Sequence, residues 1–239
     1  MKIEAVDFFY LSMPDVTTAA NGSQDALLVR VAAGGHIGWG ECEAAPLPSI
    51  AAFVCPMSHG ACRPVAASVL GATLDGPESI TRIGARVERD SMDLLQAAHT
   101  FSGIEMALWD LLGQHRQLPV WKMLGFEKAT SKIPYASLLF GDTADETLAR
   151  ARKTLADGFS AVKFGWGPIG TLDAAFDADH FVAAREGIGN DGHLMVDVGQ
   201  IFVEDIEAAA ARLPALEQAQ AHWLEEPFSG HAFEAYADL

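Results

Sequence analysis

The second half of this 239-residue chain sets the tightest limit on its fold, because after Lys132 short apolar runs alternate with helical stretches four times in succession. IPYASLL is followed by a helical pattern with Thr143 and Glu146 spaced as a capping box and a stop at Gly158. SAVKFG leads to a helix around Leu172 to Gly187, and LMVDVG to one beginning near Val203 and interrupted at Pro214. AHWLEEP leads to a last helical start, FEAYADL. Four βα units in a row predict a parallel sheet with right-handed crossovers and buried strands. All strand carboxyl ends then open onto one rim, the end where βα proteins bind ligands.

Three consecutive strands end in charge: the second in Lys163, the third in Asp197, the fourth in Glu225 with Glu226. Neighbouring strands lie about 4.8 Å apart, so Asp197 and Glu225 can converge on one point above the rim. Converging carboxylates either hold a cation or raise one another's pKa, and Mg²⁺ is commonly held by one or two carboxylates plus substrate oxygens. Lys163 would then face the ligand's negative group. The plainer readings are solvated strand ends, or an internal ion pair between Lys163 and Glu225.

The first half reads differently. Lys2 to Met13, DALLVRV and HIGWGECE form a small antiparallel sheet, the last two strands joined through Gly34 and Gly35. Ala44 to Arg63 holds Pro46, Pro48 and Pro56 without a sustained period and is expected as a long loop. Pro64 to Gly125 is helical, clearest in SGIEMALWDLLGQ, where Ile104, Ala107, Leu108, Leu111 and Leu112 share a face before an expected end near Gly113. LPVWKMLG adds a short helix. The expected division is an α+β domain over residues 1–130 and an α/β domain over 131–239.

Sixteen basic against 32 acidic residues give a formal charge of −16, which repels phosphate backbones and anionic membrane surfaces, so neither nucleic acid nor membrane is an expected partner. No apolar run approaches the roughly 18 residues of a membrane span, and the N-terminus lacks the order of a signal peptide, so a cytoplasmic location is expected. Cys42, Cys55 and Cys62 are too few for a disulfide framework. In CPMSHGAC, Cys55, His59 and Cys62 offer three soft ligands, but a fourth is missing and the spacing fits no usual zinc pattern. GWGPIG after Lys163 resembles a phosphate-binding turn only superficially, since its spacing misses both the dinucleotide and the P-loop patterns.

SGIEMALWDLLGQ with LPVWKMLG, a strand bearing Lys163, VDVGQ, WLEEP and the early GWGE (Gly38 to Glu41) occur in an order that closely resembles the mandelate racemase and muconate lactonizing branch of the enolase superfamily. The resemblance covers the whole chain. It implies an α+β capping domain and a (β/α)-barrel of TIM type, truncated here after about four βα units, with Asp197 and Glu225 as metal ligands for Mg²⁺ or Mn²⁺. Lys163 would be catalytic, and Glu226, Trp166 and Asn21 would contact substrate or support those that do. The shared first step would be chelation of a substrate carboxylate by the metal and removal of the α-proton by a base, leaving a metal-stabilised enolate. Segments equivalent to Val16–Gln24 and Ala44–Arg63 would supply substrate contacts and exclude water. A small-molecule carboxylate is the expected partner, in a homo-oligomer.

The chain departs from that pattern in three places. The branch usually carries Lys-x-Lys on the second strand, with the second lysine as base, and here Gly165 stands in its place. The expected base is then a histidine from a later strand, as in acid-sugar dehydratases of the superfamily. Gly199 replaces a polar Asn two positions after Asp197. The sequence stops at Leu239, with half of the roughly 250 residues a barrel needs. The expected activity is a metal-dependent lyase that dehydrates a polyhydroxy acid. A racemase or cycloisomerase is the alternative, and a non-catalytic binding or structural homologue the rival from another class. The 239-residue piece by itself is expected to be inactive.

Overall fold

The computed structural model describes residues 1–17, 24–42 and 45–239, which fall into two compact units, Met1–Thr130 and Ser131–Leu239. In the first unit, β1 (Ile3–Leu11), β2 (Ala26–Ala33) and β3 (His36–Cys42) form an antiparallel sheet in that order. The alternation of ALLVRVAA puts Leu27, Val29, Val31 and Ala33 in the core and the intervening residues outside. Helices α1 (Pro46–Val54), α2 (Val65–Val69), α3 (Pro77–Asp90), α4 (Ala97–Arg116) and α5 (Val120–Met123) follow. Ile104, Ala107, Leu108, Leu111 and Leu112 of α4 are fully buried.

How closely α4 lies on the sheet depends on missing side chains. A Cβ at Gly38 would sit 2.0 Å from the Ala107 carbonyl oxygen, and one at Gly40 would sit 2.1 Å from that of Gly103. Gly103 answers from the helix, where a Cβ would meet Val29 Cγ2 at 2.9 Å and Cys42 Cβ at 3.1 Å. The glycines two apart in GWGE thus leave one sheet face bare, and the helix backbone rests on it.

Two expectations need correction here. The proline-rich stretch is no continuous loop, because Pro46 and Pro48 occupy the first turn of α1, where the missing N–H groups have no intrahelical partner to lose. Gly113 does not end α4 either. The helix runs on to Arg116 and closes through left-handed Gln117, while Gly113 makes room for the Leu118 carbonyl, 2.9 Å from where its Cβ would be.

The second unit is a parallel sheet, β4 (Ala136–Leu139), β5 (Ala161–Gly165), β6 (His193–Asp197) and β7 (Ala221–Glu225), in sequence order. Between the strands run α6 (Ala144–Ala156), α7 (Ala174–Ile188), α8 (Ile206–Ala210) and α9 (Leu213–Gln218), and α10 (Phe233–Asp238) follows β7. Val162, Phe164, Leu194 and Val196 join Phe181, Ala184 and Ile188 of α7 in one core. Thr143 caps α6 by accepting from the Glu146 N–H, but the Glu146 carboxylate reaches the Asp142 N–H, one residue before the cap. The helix expected from Val203 starts only at Ile206, capped by Asp205, since Val203 itself is left-handed at φ 57°. Pro214 lies in the first turn of α9 instead of interrupting a longer helix.

Two charged clusters tie this unit together away from the strand ends. Arg185 of α7 donates to the carbonyls of Gly189, Gly192, Ala219 and Gln220, joining the turns that enter β6 and β7. Asp177 of α7, fully buried, accepts from Arg212 Nε at 2.9 Å and from the Gly170 N–H, while Arg212 Nη2 donates to the Leu172 carbonyl. Among the described residues no helix is long and apolar enough to cross a membrane.

Candidate metal and carboxylate site

Register brings the predicted residues together. Gly165 pairs with Asp197 and Asp197 with Glu225, so these three stand at one level at the carboxyl ends of β5, β6 and β7. Lys163, two residues earlier on β5, points to the same side because side chains on a strand alternate with a period of two. Its ammonium rises from the level below and lies 2.9 Å from Asp197 Oδ2 and 2.8 Å from Glu225 Oε1.

Every carboxylate oxygen in this cluster has a partner. Asp197 Oδ1 accepts from the Gly199 N–H at 3.0 Å, and Glu225 Oε2 accepts from Trp223 Nε1 at 3.1 Å. Tyr135 presents its ring 5.9 Å from the ammonium and meets Trp223 edge-on at 6.4 Å. The side chains of Lys163 and Asp197 are 12% and 11% exposed and that of Glu225 34%, so the cluster opens to solvent on the Glu225 side. Burial pulls the Lys163 pKa down, but hydrogen bonds to Glu225 and Asp197 outweigh it and hold the group well above the usual lysine range. Lys163 is therefore a fixed cation at neutral pH. It cannot accept a proton, and neither can Gly165 beside it.

The donor set suits a hard divalent cation: oxygen ligands from two adjacent strands aim at a single point. Two carboxylates against one ammonium also leave the cluster with one net negative charge. Among the described residues no group of three or more His, Cys, Asp or Glu side chains is arranged to hold a metal ion. Cys55, His59 and Cys62 form no such group, and His59 Nε2 pairs instead with Asp93 at 3.1 Å.

The other expected site residues scatter. Glu226 is exposed and left-handed at φ 50°, with its carbonyl accepting from the Gln200 N–H. Trp166 is half-buried just past β5. Asn21 lies outside the described residues, as does part of the Val16–Gln24 segment. Sequence reasoning missed Trp223 and Tyr135. The period of two that separates Trp223 from Glu225 on β7 puts both on one face and could have found the first. Nothing local marks Tyr135.

An α+β unit followed by parallel βα units with carboxylates at the strand ends is an arrangement that several protein families share, and the comparisons narrow it. Residues 11–125 match the model of the mandelate racemase / muconate lactonizing enzyme N-terminal domain, and residues 146–239 match the enolase C-terminal domain-like model. The chain belongs to the mandelate racemase and muconate lactonizing branch of the enolase superfamily. A crystal structure described as a predicted mandelate racemase from Rhodobacter sphaeroides superposes with a TM-score of 0.95 at 70% identity, covering 100% of this chain and 61% of that one. D-galactonate dehydratase of Klebsiella pneumoniae is 30% identical over 86% of this chain and 52% of its own length. A 3,6-anhydro-α-L-galactonate cycloisomerase of Streptomyces coelicolor is 32% identical over 55% of this chain and 35% of its own length. The chain thus spans about half, or less, of these two curated relatives.

Proposed function

We propose that this chain carries the cation-binding part of a site that removes the proton α to a carboxylate, in a lyase that dehydrates a polyhydroxy acid. The observation that carries the reading is the convergence of Asp197 and Glu225, from adjacent strands, on the one point that Lys163 Nζ approaches at 2.8 and 2.9 Å. Asp197 and Glu225 are the residues that would hold Mg²⁺ or Mn²⁺. When bound, the cation supplies positive charge beside the substrate carboxylate, which makes a very weakly acidic α-proton removable. The Gly199 N–H and the Trp223 indole keep the two carboxylates aimed. Lys163, permanently charged, orients and neutralises the substrate carboxylate. With Lys163 and Gly165 both unable to take a proton, the base comes from elsewhere in the whole protein. Dehydration can run with one such group, whereas racemisation needs one on each face of the α-carbon.

The sugar-acid dehydratase relative supports the choice of reaction, and the cycloisomerase relative supports the alternative. A non-catalytic binding protein is the rival, favoured by one observation: Lys163 already satisfies both carboxylates from within the chain. Calorimetric titration with Mn²⁺ separates them. One site is expected in the parent chain, weakened more than about tenfold by Asp197→Asn or Glu225→Gln. Unchanged Mn²⁺ affinity in both variants would mean the metal assignment is wrong. Incorporation of deuterium from heavy water by the whole protein, at the β-carbon of the dehydrated product or at the α-carbon of recovered acid, tests the chemistry across galactonate, gluconate and galactarate. Metal binding with no deuterium incorporated into any acid by the whole protein favours the binding protein.

A further inference from the structure

The rim of the second unit carries backbone strain that the cation cluster does not require. Six non-glycine residues among those described have positive φ, and two of them, Gln117 and Gln220, sit at or just after helix ends. The other four, Trp166, Gln200, Val203 and Glu226, all follow the carboxyl ends of β5, β6 and β7. A left-handed backbone costs a residue with a Cβ roughly 1–2 kcal/mol, and a bulky side chain is a rare occupant. Strain of this kind persists only where the surroundings impose it.

At Trp166 the imposing groups are visible. Its N–H donates to the Asp197 carbonyl at 3.0 Å, continuing the β5 to β6 pairing by one residue. Downstream, the Asp177 carboxylate accepts from the Gly170 N–H at 3.1 Å, and Arg212 donates to the Leu172 carbonyl at 3.0 Å. The backbone is therefore held on both sides of Trp166 at φ 57°, and the direction of its Cα–Cβ bond is fixed with it.

The indole covers Gly199. A Cβ at Gly199 would lie 2.8, 3.0 and 3.2 Å from Trp166 Cε2, Nε1 and Cδ2, so the ring face fills the space that any side chain at position 199 would need. Gly199 is the residue whose N–H aims Asp197 Oδ1. The ring thus lies over the turn that orients a carboxylate of the cation cluster. It is only half-buried, and among the described residues its indole N–H has no acceptor. An aromatic face on a strained backbone, with a spare donor beside a carboxylate-handling site, is suited to the C–H face and hydroxyls of a sugar acid.

We infer that Trp166 is a specificity-determining residue, whose ring stacks on the carbon chain of a polyhydroxy acid and whose Nε1–H donates to one of its hydroxyls. The inference rests on the proposed site for the acid carboxylate and adds what reads the rest of the molecule. The bland competitor is a ring that only covers Gly199 and never meets a ligand.

The test is calorimetric binding of galactonate, gluconate, arabinonate and galactarate to the chain with Mg²⁺, before and after Trp166→Ala and Trp166→Phe. A contact role changes the ratio of affinities between acids that differ in hydroxyl configuration by about tenfold or more in Trp166→Ala. Trp166→Phe keeps the face but loses the donor, and is expected to fall between. Equal weakening for every acid, or no acid bound by the parent chain, overturns the inference. Binding with Trp166-dependent selectivity but no deuterium incorporation by the whole protein leaves the inference standing and defeats the proposed reaction instead. Should Trp166→Ala unfold the chain, Trp166→Phe alone decides on selectivity. The placement of the ring is checked separately: Gly199→Ala, strained in any background because Gly199 has φ 52°, should lower the melting temperature more in the parent than in a Trp166→Ala background that still folds. An equal loss in both backgrounds overturns the placement.

Discussion

In the first unit Gly38, Gly40 and Gly103 let two backbones touch, whereas in the second Gly165 lies against the Asp197 side chain and Gly199 against the Trp166 ring. The charges divide the same way. Arg30 and Asp7, which pair across β1 and β2, are 38% and 42% exposed, while Asp177 and Arg212 of the second unit are 0% and 9% exposed. An exposed pair is worth about 0–1 kcal/mol, but a buried pair broken on one side leaves a desolvated charge behind. The first unit therefore rests on contact and the second on buried charge, and substitutions should sort accordingly.

The largest loss is expected from Gly38→Ala or Gly40→Ala. Each puts a methyl about 2 Å from a helix carbonyl, beyond what side-chain adjustment absorbs, so destabilisation of at least about 3 kcal/mol is expected in urea melts. A loss below 1 kcal/mol would show that α4 can move off the sheet and would break the contrast. Asp177→Ala should cost about 3–5 kcal/mol by stranding Arg212, and a near-neutral result would shift the second unit's stability back to its apolar core. Lys163→Met should cost less, roughly 2 kcal/mol, because Glu225 is partly solvated.

The pH dependence sharpens that third case. A lysine held above its ordinary pKa binds its proton more tightly folded than unfolded. Its contribution is complete below the ordinary lysine range and is lost only as pH rises through the raised value. Parent minus Lys163→Met stability should therefore stay flat between about pH 7 and 9, above the carboxylate range; a slope there would mean the ammonium is not held as described. The smallest effect belongs to Arg152→Ala, whose Glu186 pair is 61% and 60% exposed, and a change within about 0.5 kcal/mol is expected from thermal melts.

Much of this was legible in the residues. The period of two in ALLVRVAA, the α4 face and the βα alternation after Lys132 each reflect burial of a repeating face, which a sequence states directly. Lys163, Asp197 and Glu225 were legible as a set because one rule of sheet geometry places strand ends together. What stayed hidden depends on neighbours far along the chain. Pro46 and Pro48 look like loop residues until the helix they begin is known. Gly199 looks like a lost side chain until Trp166, 33 positions earlier in the numbering, is seen lying on it. Tyr135 joins the cluster through packing that no local signal carries, whereas the period of two on β7 could have placed Trp223 beside Glu225.

Arg185 deserves a last consequence. Its one guanidinium gathers four carbonyls from the turns entering β6 and β7, at the end of those strands opposite Asp197 and Glu225. A fastener at one end leaves the other end free of responsibility for keeping the strands aligned. The rim that carries Asp197 and Glu225 can then be shaped by its chemistry while the sheet keeps its register from the far end.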